Sequence, residues 1–394
     1  MPCSWKMHAV RGCSIVSMDG FCAWRRLQTW TAARLLSNTR YVACGGGSLL
    51  ACMYIGVLQE LFTNNSAEYG TWVQSLRGIA GTSAGAILAF LLTVGLTPTD
   101  MQALMDACDV ASIATEARAA TTATVISCGA VTTGAAIDAL LVDIVRRALR
   151  LRCAADAAAL TLAQFQAKHK PRLSIVVTNA DEGVVEYWSA VTAPDTPVWL
   201  ALRASVAVPG LFPEVQLNAK NATRYQDGGI TCNLPCHLFP AAETLSLFVH
   251  VGGSAAQNAA SIPVCSGTLD LDDVSGTTDT SEASEASGSG PSQVPPPSPS
   301  PTLAAVIVSG ATRALKMVQL YMCAAQLGPL RGNPVYMLKC VPCRALTSLG
   351  AAGAFAFQGG AATMLALMRD GAVNARAIIV RDALLLLACA GAFF

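Results

Sequence analysis

Two short apolar runs, each leading into a cluster of glycines and then a helical pattern, constrain this chain more than anything else in it. Tyr41-Val-Ala-Cys44 runs into Gly45-Gly46-Gly47, with a helical pattern from Leu49 to Leu61. The run Leu76 to Ala80 leads into Gly81-Thr82-Ser83-Ala84-Gly85 and then an apolar helical stretch, Ala86 to Val94. Strand, glycine turn and helix, met twice, is how a parallel α/β sheet reads in sequence. The strands are apolar almost throughout, which fits burial on both faces. The expected class is α/β, with a central, mostly parallel sheet flanked by helices.

The remaining pattern extends that sheet. Residues 98–170 read as helical with one break near Gly129 to Gly134. Leu173 to Thr178 reads as a strand, Glu182-Gly183 as a turn, and Val184 to Trp188 as the return strand. Leu245 to Val251 and Val335 to Lys339 read as further strands. Leu303 to Leu327 and Ala361 to Met368 read as helices, the second ending near Gly371. Between the strand ending at Val251 and the helix starting at Leu303 the composition changes. Residues 253–302 are rich in Ser, Gly, Pro and acids and end in Pro295-Pro-Pro-Ser-Pro-Ser-Pro301. A stretch so poor in apolar side chains cannot offset its chain entropy and is expected to be disordered. The expected organisation is an extension (1–38), a main domain (39–252), this insertion (253–302), the rest of the domain (303–380) and an apolar tail (381–394).

Composition narrows the function classes. Hydrophobic residues make up 53% of the 394-residue chain and charged ones 13%, enough for a sizeable core and some apolar surface. A net charge of +1 carries no nucleic-acid footprint. Fifteen cysteines, odd in number and scattered, read as free thiols of a reducing compartment. Cys340, Cys343, Cys232, Cys236 and His237 imitate a zinc set, but their irregular spacing leads us to expect no metal. The first forty residues lack the apolar core of a secretory signal, and no run reaches the ~20 residues a spanning helix needs. The expected setting is intracellular and cytoplasmic; an apolar surface with little charge suits a lipid interface and a partner protein equally, and peripheral membrane association is the expectation where the partner is a lipid surface.

Gly81-Thr82-Ser83-Ala84-Gly85 is the sharpest chemical signal. A G-x-S-x-G at a strand-to-helix turn projects its serine from a tight bend, and Gly81 and Gly85 let backbone and helix approach closely. The following helix points its N-terminus at the place where negative charge would develop. Such a serine needs a base. The four histidines, His8, His169, His237 and His250, have no setting that marks a triad member. Asp227-Gly228-Gly229 offers a carboxylate held in a sharp turn, although Asp-Gly is also an ordinary surface turn. Gly45, Gly46, Gly47 and Ser48 expose consecutive backbone N–H groups suited to an oxyanion hole or an anion nest. They lack the Lys-Ser/Thr ending of a nucleotide-binding loop.

Together these pieces resemble the patatin-like phospholipase family. The order matches: a glycine loop followed by Ile55-Gly56-Val57-Leu58, then G-T-S-A-G, then Asp-Gly-Gly. The connectors match as well: Thr161-Leu-Ala-Gln-Phe165, Val177-Thr178-Asn179, Ala204-Ser205-Val-Ala-Val-Pro209-Gly-Leu-Phe212-Pro213, and Tyr225-Gln-Asp-Gly-Gly-Ile-Thr-Cys-Asn-Leu-Pro235. The resemblance implies a three-layer α/β sandwich and a Ser83–Asp227 dyad with the glycine loop as oxyanion hole. It implies hydrolysis of fatty acyl esters of lipids through an acyl-enzyme, with no cofactor and a lipid surface as partner. The family loop reads G-G-G-x-K/R-G. Counted back from Gly56, its glycines fall on Gly46, Gly47 and Ser48, with Leu50 at the basic position. Counted forward from Gly45, one residue is inserted. The basic side chain is missing in both registers, so an inactive lipid- or partner-binding module is a second reading and a Ser-His-Asp esterase a third.

Overall fold

A computed structural model describes residues 36–62, 66–217, 223–249, 336–340 and 362–376. Most of the 1–38 extension, the 253–302 insertion, the helix expected at 303–327 and the 381–394 tail lie outside these residues.

Seven strands form one sheet: β1 Tyr41–Cys44, β2 Gly78–Thr82, β3 Arg172–Asn179, β4 Val184–Trp188, β5 Tyr225–Asp227, β6 Thr244–Val249 and β7 Tyr336–Cys340. Their order is β4-β3-β2-β1-β6-β7, with β5 also paired to β3. The pairs β1–β2, β1–β6, β2–β3 and β6–β7 are parallel, while β4 and β5 run antiparallel to β3. The sheet is therefore mixed and mostly parallel, and it is flanked by helices. Strands β1, β2 and β6 are buried along nearly their whole length, as their unbroken apolar runs require. Period-two alternation divides their side chains between two cores. Val42, Ile79, Leu245 and Leu247 join the main one, while Ala43 and Phe248 face a small cluster with Leu234 and Cys236.

One feature of the register places the site. Strand β3 has two edges. Along Ile175–Asn179 one edge is taken by β4. On the other edge β2 pairs with Arg172–Val176 and β5 with Val177–Asn179. β2 and β5 thus share one lane from opposite directions, and their C-terminal ends converge. Thr82 pairs with Val176 and Asp227 with the next residue, Val177. Residues far apart in sequence, Thr82 and Asp227, meet at the one place in the lane where the C-terminal ends of two strands converge.

Two expectations need correction. The helical stretch 98–170 has more breaks than the one at Gly129–Gly134: it forms six helices, Pro98–Asp106, Ala111–Arg118, Thr122–Cys128, Ala135–Ala148, Ala154–Ala159 and Leu162–Gln166. Thr97, Thr121 and Thr161 each start a helix by accepting the backbone N–H three residues on, in reciprocal capping boxes. The last described helix, 362–376, does not stop near Gly371. Gly371 lies inside it because a Cβ there would strike the Met53 carbonyl, just as one on Gly56 would strike that of Met368. Here glycine marks close packing against the helix Cys52–Leu61, not a helix end. No helix among the described residues is long and apolar enough to cross a membrane.

Candidate active site

At the end of β2 the chain turns abruptly into the helix Ala84–Val94. Ser83 sits on the bend with φ +54° and ψ −131°, a conformation that costs an L-residue of order 1–3 kcal/mol. The flanking glycines are obligatory. A Cβ on Gly81 would lie 2.6 Å from the Ala86 Cα, and one on Gly85 would collide with the carbonyls of Cys44 and Gly45. The bend is held from the side by Ser205, whose Oγ accepts the Ser83 N–H at 2.8 Å.

Asp227 arrives from β5. Ser83 Oγ donates to Asp227 Oδ2 at 2.7 Å. The other carboxylate oxygen, Oδ1, accepts the Gly229 N–H at 2.7 Å. Gly228 has to be glycine because a Cβ there would meet the Val176 carbonyl. Asp227 is 4% exposed. Burial, offset in part by the hydrogen bonds from Ser83 and Gly229, pushes its pKa up from 3.8 to about 6.

The glycine loop divides into two halves. The N–H of Gly45 donates to Leu247 O at 2.8 Å and that of Gly46 to Asn233 O at 3.1 Å. These two amides are engaged in holding the loop to β6 and to the segment after β5, so neither can serve as an oxyanion donor. A Cβ on Gly46 would lie 2.5 Å from Asn233 Oδ1 and 3.1 Å from the Ser83 Cβ, which explains its glycine. The amides of Gly47 and Ser48 have no acceptor among the described residues, and Ser48 is held at φ +51°. Ala84, first residue of its helix, has no intrahelical acceptor for its N–H.

An apolar cavity opens beside these groups. Ser48, Ser83 and Ala84 form one end, and the walls come from several helices: Ile55, Ile87 and Leu91, Ile113, Ile137, Leu140 and Ile144, and Val208 and Phe212 beyond them. None of its described lining residues is charged. Such walls suit an apolar group, and a polar one would leave its hydrogen bonds unmade there.

The described histidines stand apart. His237 Nε2 is hydrogen-bonded to the Tyr187 hydroxyl at 2.8 Å, and His169 stacks on Phe165 with ring centroids 4.4 Å apart. Neither bonds to Ser83 or Asp227, while His8 and His250 lie outside the described residues. Cys44, Cys52, Cys108, Cys128, Cys153, Cys232 and Cys236 are free thiols. Sequence reasoning gave Ala84, Ser205 and Asn233 no role of their own. The only signal for the last two was their place inside stretches resembling family motifs.

The sequence profile of patatin-like phospholipases matches residues 42–240, half of the chain, a range that includes the glycine loop, Ser83 and Asp227. The chain belongs to the patatin-like phospholipase family. Phospholipases of this family are lipid hydrolases. No curated protein sequence matches the chain. Among solved structures, it is similar to VipD from Legionella pneumophila, at 19% identity over 56% of this chain and 51% of that one, with a TM-score of 0.36. It is also similar to ExoU of the Pseudomonas aeruginosa type III secretion system, solved in complex with SpcU, at 16% identity over 55% of this chain and 44% of that one, with a TM-score of 0.30. The chain thus spans about half the length of these proteins.

Proposed function

We propose that this patatin-like protein is a serine acyl hydrolase that cleaves fatty acyl esters of lipids, with Ser83 as nucleophile and Asp227 as its general base. The observation that carries the reading is the 2.7 Å hydrogen bond from Ser83 Oγ to a buried carboxylate at the end of an uncharged cavity. Asp227 takes the Ser83 proton as Oγ attacks the ester carbonyl, and then gives it to the departing alcohol. That leaves an acyl-enzyme. Water, losing a proton to the same carboxylate, releases the fatty acid and restores the serine.

The carboxylate is a better base than a free aspartate because burial brings its pKa to about 6, nearer the operating pH. The tetrahedral oxyanion is held by the amides of Gly47 and Ser48, which have no acceptor among the described residues, and by that of Ala84 at the N-terminus of the helix Ala84–Val94. Each such donor contributes of order 3 kcal/mol to the transition state. Backbone amides meet this need without the basic side chain missing from the loop. The acyl chain lies along Ile87, Leu91, Leu140 and Ile144, and the substrate is drawn from a membrane or lipid-droplet surface.

The test is a digest of mixed phospholipids, glycerides and galactolipids, with lipid products read by mass spectrometry. The wild-type chain is expected to release free fatty acid from at least one class, and Ser83→Ala from none. Equal release by both, or none by either, favours the non-catalytic binding module.

A further inference from the structure

Ser205 is the last residue of the helix Val198–Ser205 and is fully buried. Its hydroxyl makes two hydrogen bonds, and the chemistry of the partners fixes their direction. Val176 O can only accept, so the Ser205 proton points there, at 2.6 Å. The lone pairs then face the Ser83 N–H, which donates to Oγ at 2.8 Å. The hydroxyl is a peg between the main chain of β3 and the bend after β2. Two residues on, the Ala207 carbonyl accepts the Asp227 N–H at 2.9 Å. The stretch 205–207 therefore grips the backbone of both Ser83 and Asp227, from one short run of chain.

Two consequences follow. Ser83 is held at φ +54°, where it would not stay without an anchor, because a relaxed helix start has φ negative. The Ser83 amide is also withdrawn from the oxyanion donors, which leaves that work to Ala84 and the loop.

We infer that Ser205 is a positioning residue for the nucleophile: its hydroxyl sets the Ser83 backbone so that Oγ stays in line with the Asp227 carboxylate. The inference rests on the acyl-hydrolase reading above. Without the peg, the N–H of Ser83 and the carbonyl of Val176 both lose a buried partner, and the bend relaxes away from Asp227. Displacements on the scale of an ångström at a reacting centre cost about 100-fold in rate. Ser205 itself does not line the cavity proposed for the acyl chain, so the loss is expected in kcat rather than in KM.

The test compares wild type, Ser205→Ala and Ser205→Thr, which keeps the hydroxyl. The readouts are kcat and KM on a phospholipid, and the rate of fluorophosphonate labelling of Ser83 against pH. Ser205→Ala is expected to lower kcat and labelling by about 10- to 100-fold, with KM unchanged. Its labelling limb shifts to higher pH, because the Ser83 hydrogen bond helps keep Asp227 ionised and is weakened. Ser205→Thr restores the wild-type midpoint. A structural role alone would lower thermal stability but leave that midpoint in place. Wild-type rates and midpoint in Ser205→Ala, or an unmoved midpoint in both variants, overturn the inference and leave the dyad standing. No labelling of wild-type Ser83 at any pH overturns both.

Discussion

Replacing Asp227 by Asn should stabilise the fold while it disables the site, and the size of the gain follows from the burial of the carboxylate. Asp227 is buried and its pKa is raised from 3.8 to about 6, with burial as the main cause. The folded chain therefore holds this proton more tightly than the unfolded one. Well below pH 3.8 both states are protonated and the charge costs nothing. As pH rises from 3.8 towards 6, the unfolded chain releases the proton first, so stability falls through that window. At about 1.4 kcal/mol per pH unit, the full cost is about 3 kcal/mol above pH 6. Asn carries no charge to bury. Its Oδ1 can keep the Gly229 N–H and its amide can donate to Ser83 Oγ, whose own proton then turns toward the cavity that Ser83 lines. Urea unfolding of Asp227→Asn and wild type at pH 4 and pH 7.5 isolates the effect, since every other titrating group cancels in the difference. The two are expected to be nearly equal at pH 4, with Asp227→Asn more stable by about 3 kcal/mol at pH 7.5. A variant no more stable than wild type at pH 7.5, or a gap equal at both pH values, would refute the reasoning. The same pKa predicts that wild-type kcat/KM climbs with pH through about 6 as the base ionises.

Other outcomes follow from the same geometry. Ile87→Trp fills the cavity close to Ser83 and should lower hydrolysis of long-chain esters at least about tenfold relative to an acetyl ester, read as a ratio of kcat/KM values. Gly85→Ala drives a methyl group into the Cys44 and Gly45 carbonyls and should cost about 1–3 kcal/mol in urea melts while abolishing Ser83 labelling. Ser48→Gly relieves a side chain held at φ +51°, and should raise stability by up to about 1 kcal/mol with activity retained, because the backbone N–H is the proposed donor.

The elements that meet a periodic or steric demand were legible in the sequence. β1 and β2 are short apolar runs ended by glycine, and the bend at Ser83 needs Gly81 and Gly85 for contacts that no side chain tolerates. The gap at Gly129–Gly134 shows because both glycines take positive φ. What was not legible depends on partners remote in the chain. Nothing near Gly45 and Gly46 says that residues 247 and 233 occupy their amides, and so a run of glycines reads as a row of equivalent donors. The three-residue strand β5 is too short for a pattern, and only its pairing beside β2 on β3 brings Asp227 to Ser83. Gly371 reads as a stop because a sequence does not distinguish a glycine that ends a helix from one that admits a neighbouring helix.

The covalent intermediate gives the most direct test. Wild-type protein turning over a phospholipid, quenched in acid and digested, should carry a fatty acyl group on Ser83, found by mass spectrometry on the peptide spanning that residue. Asp227→Asn should carry none at the same time point. An acyl group on a different residue, or turnover by Asp227→Asn at the wild-type rate, would contradict a serine activated by that carboxylate.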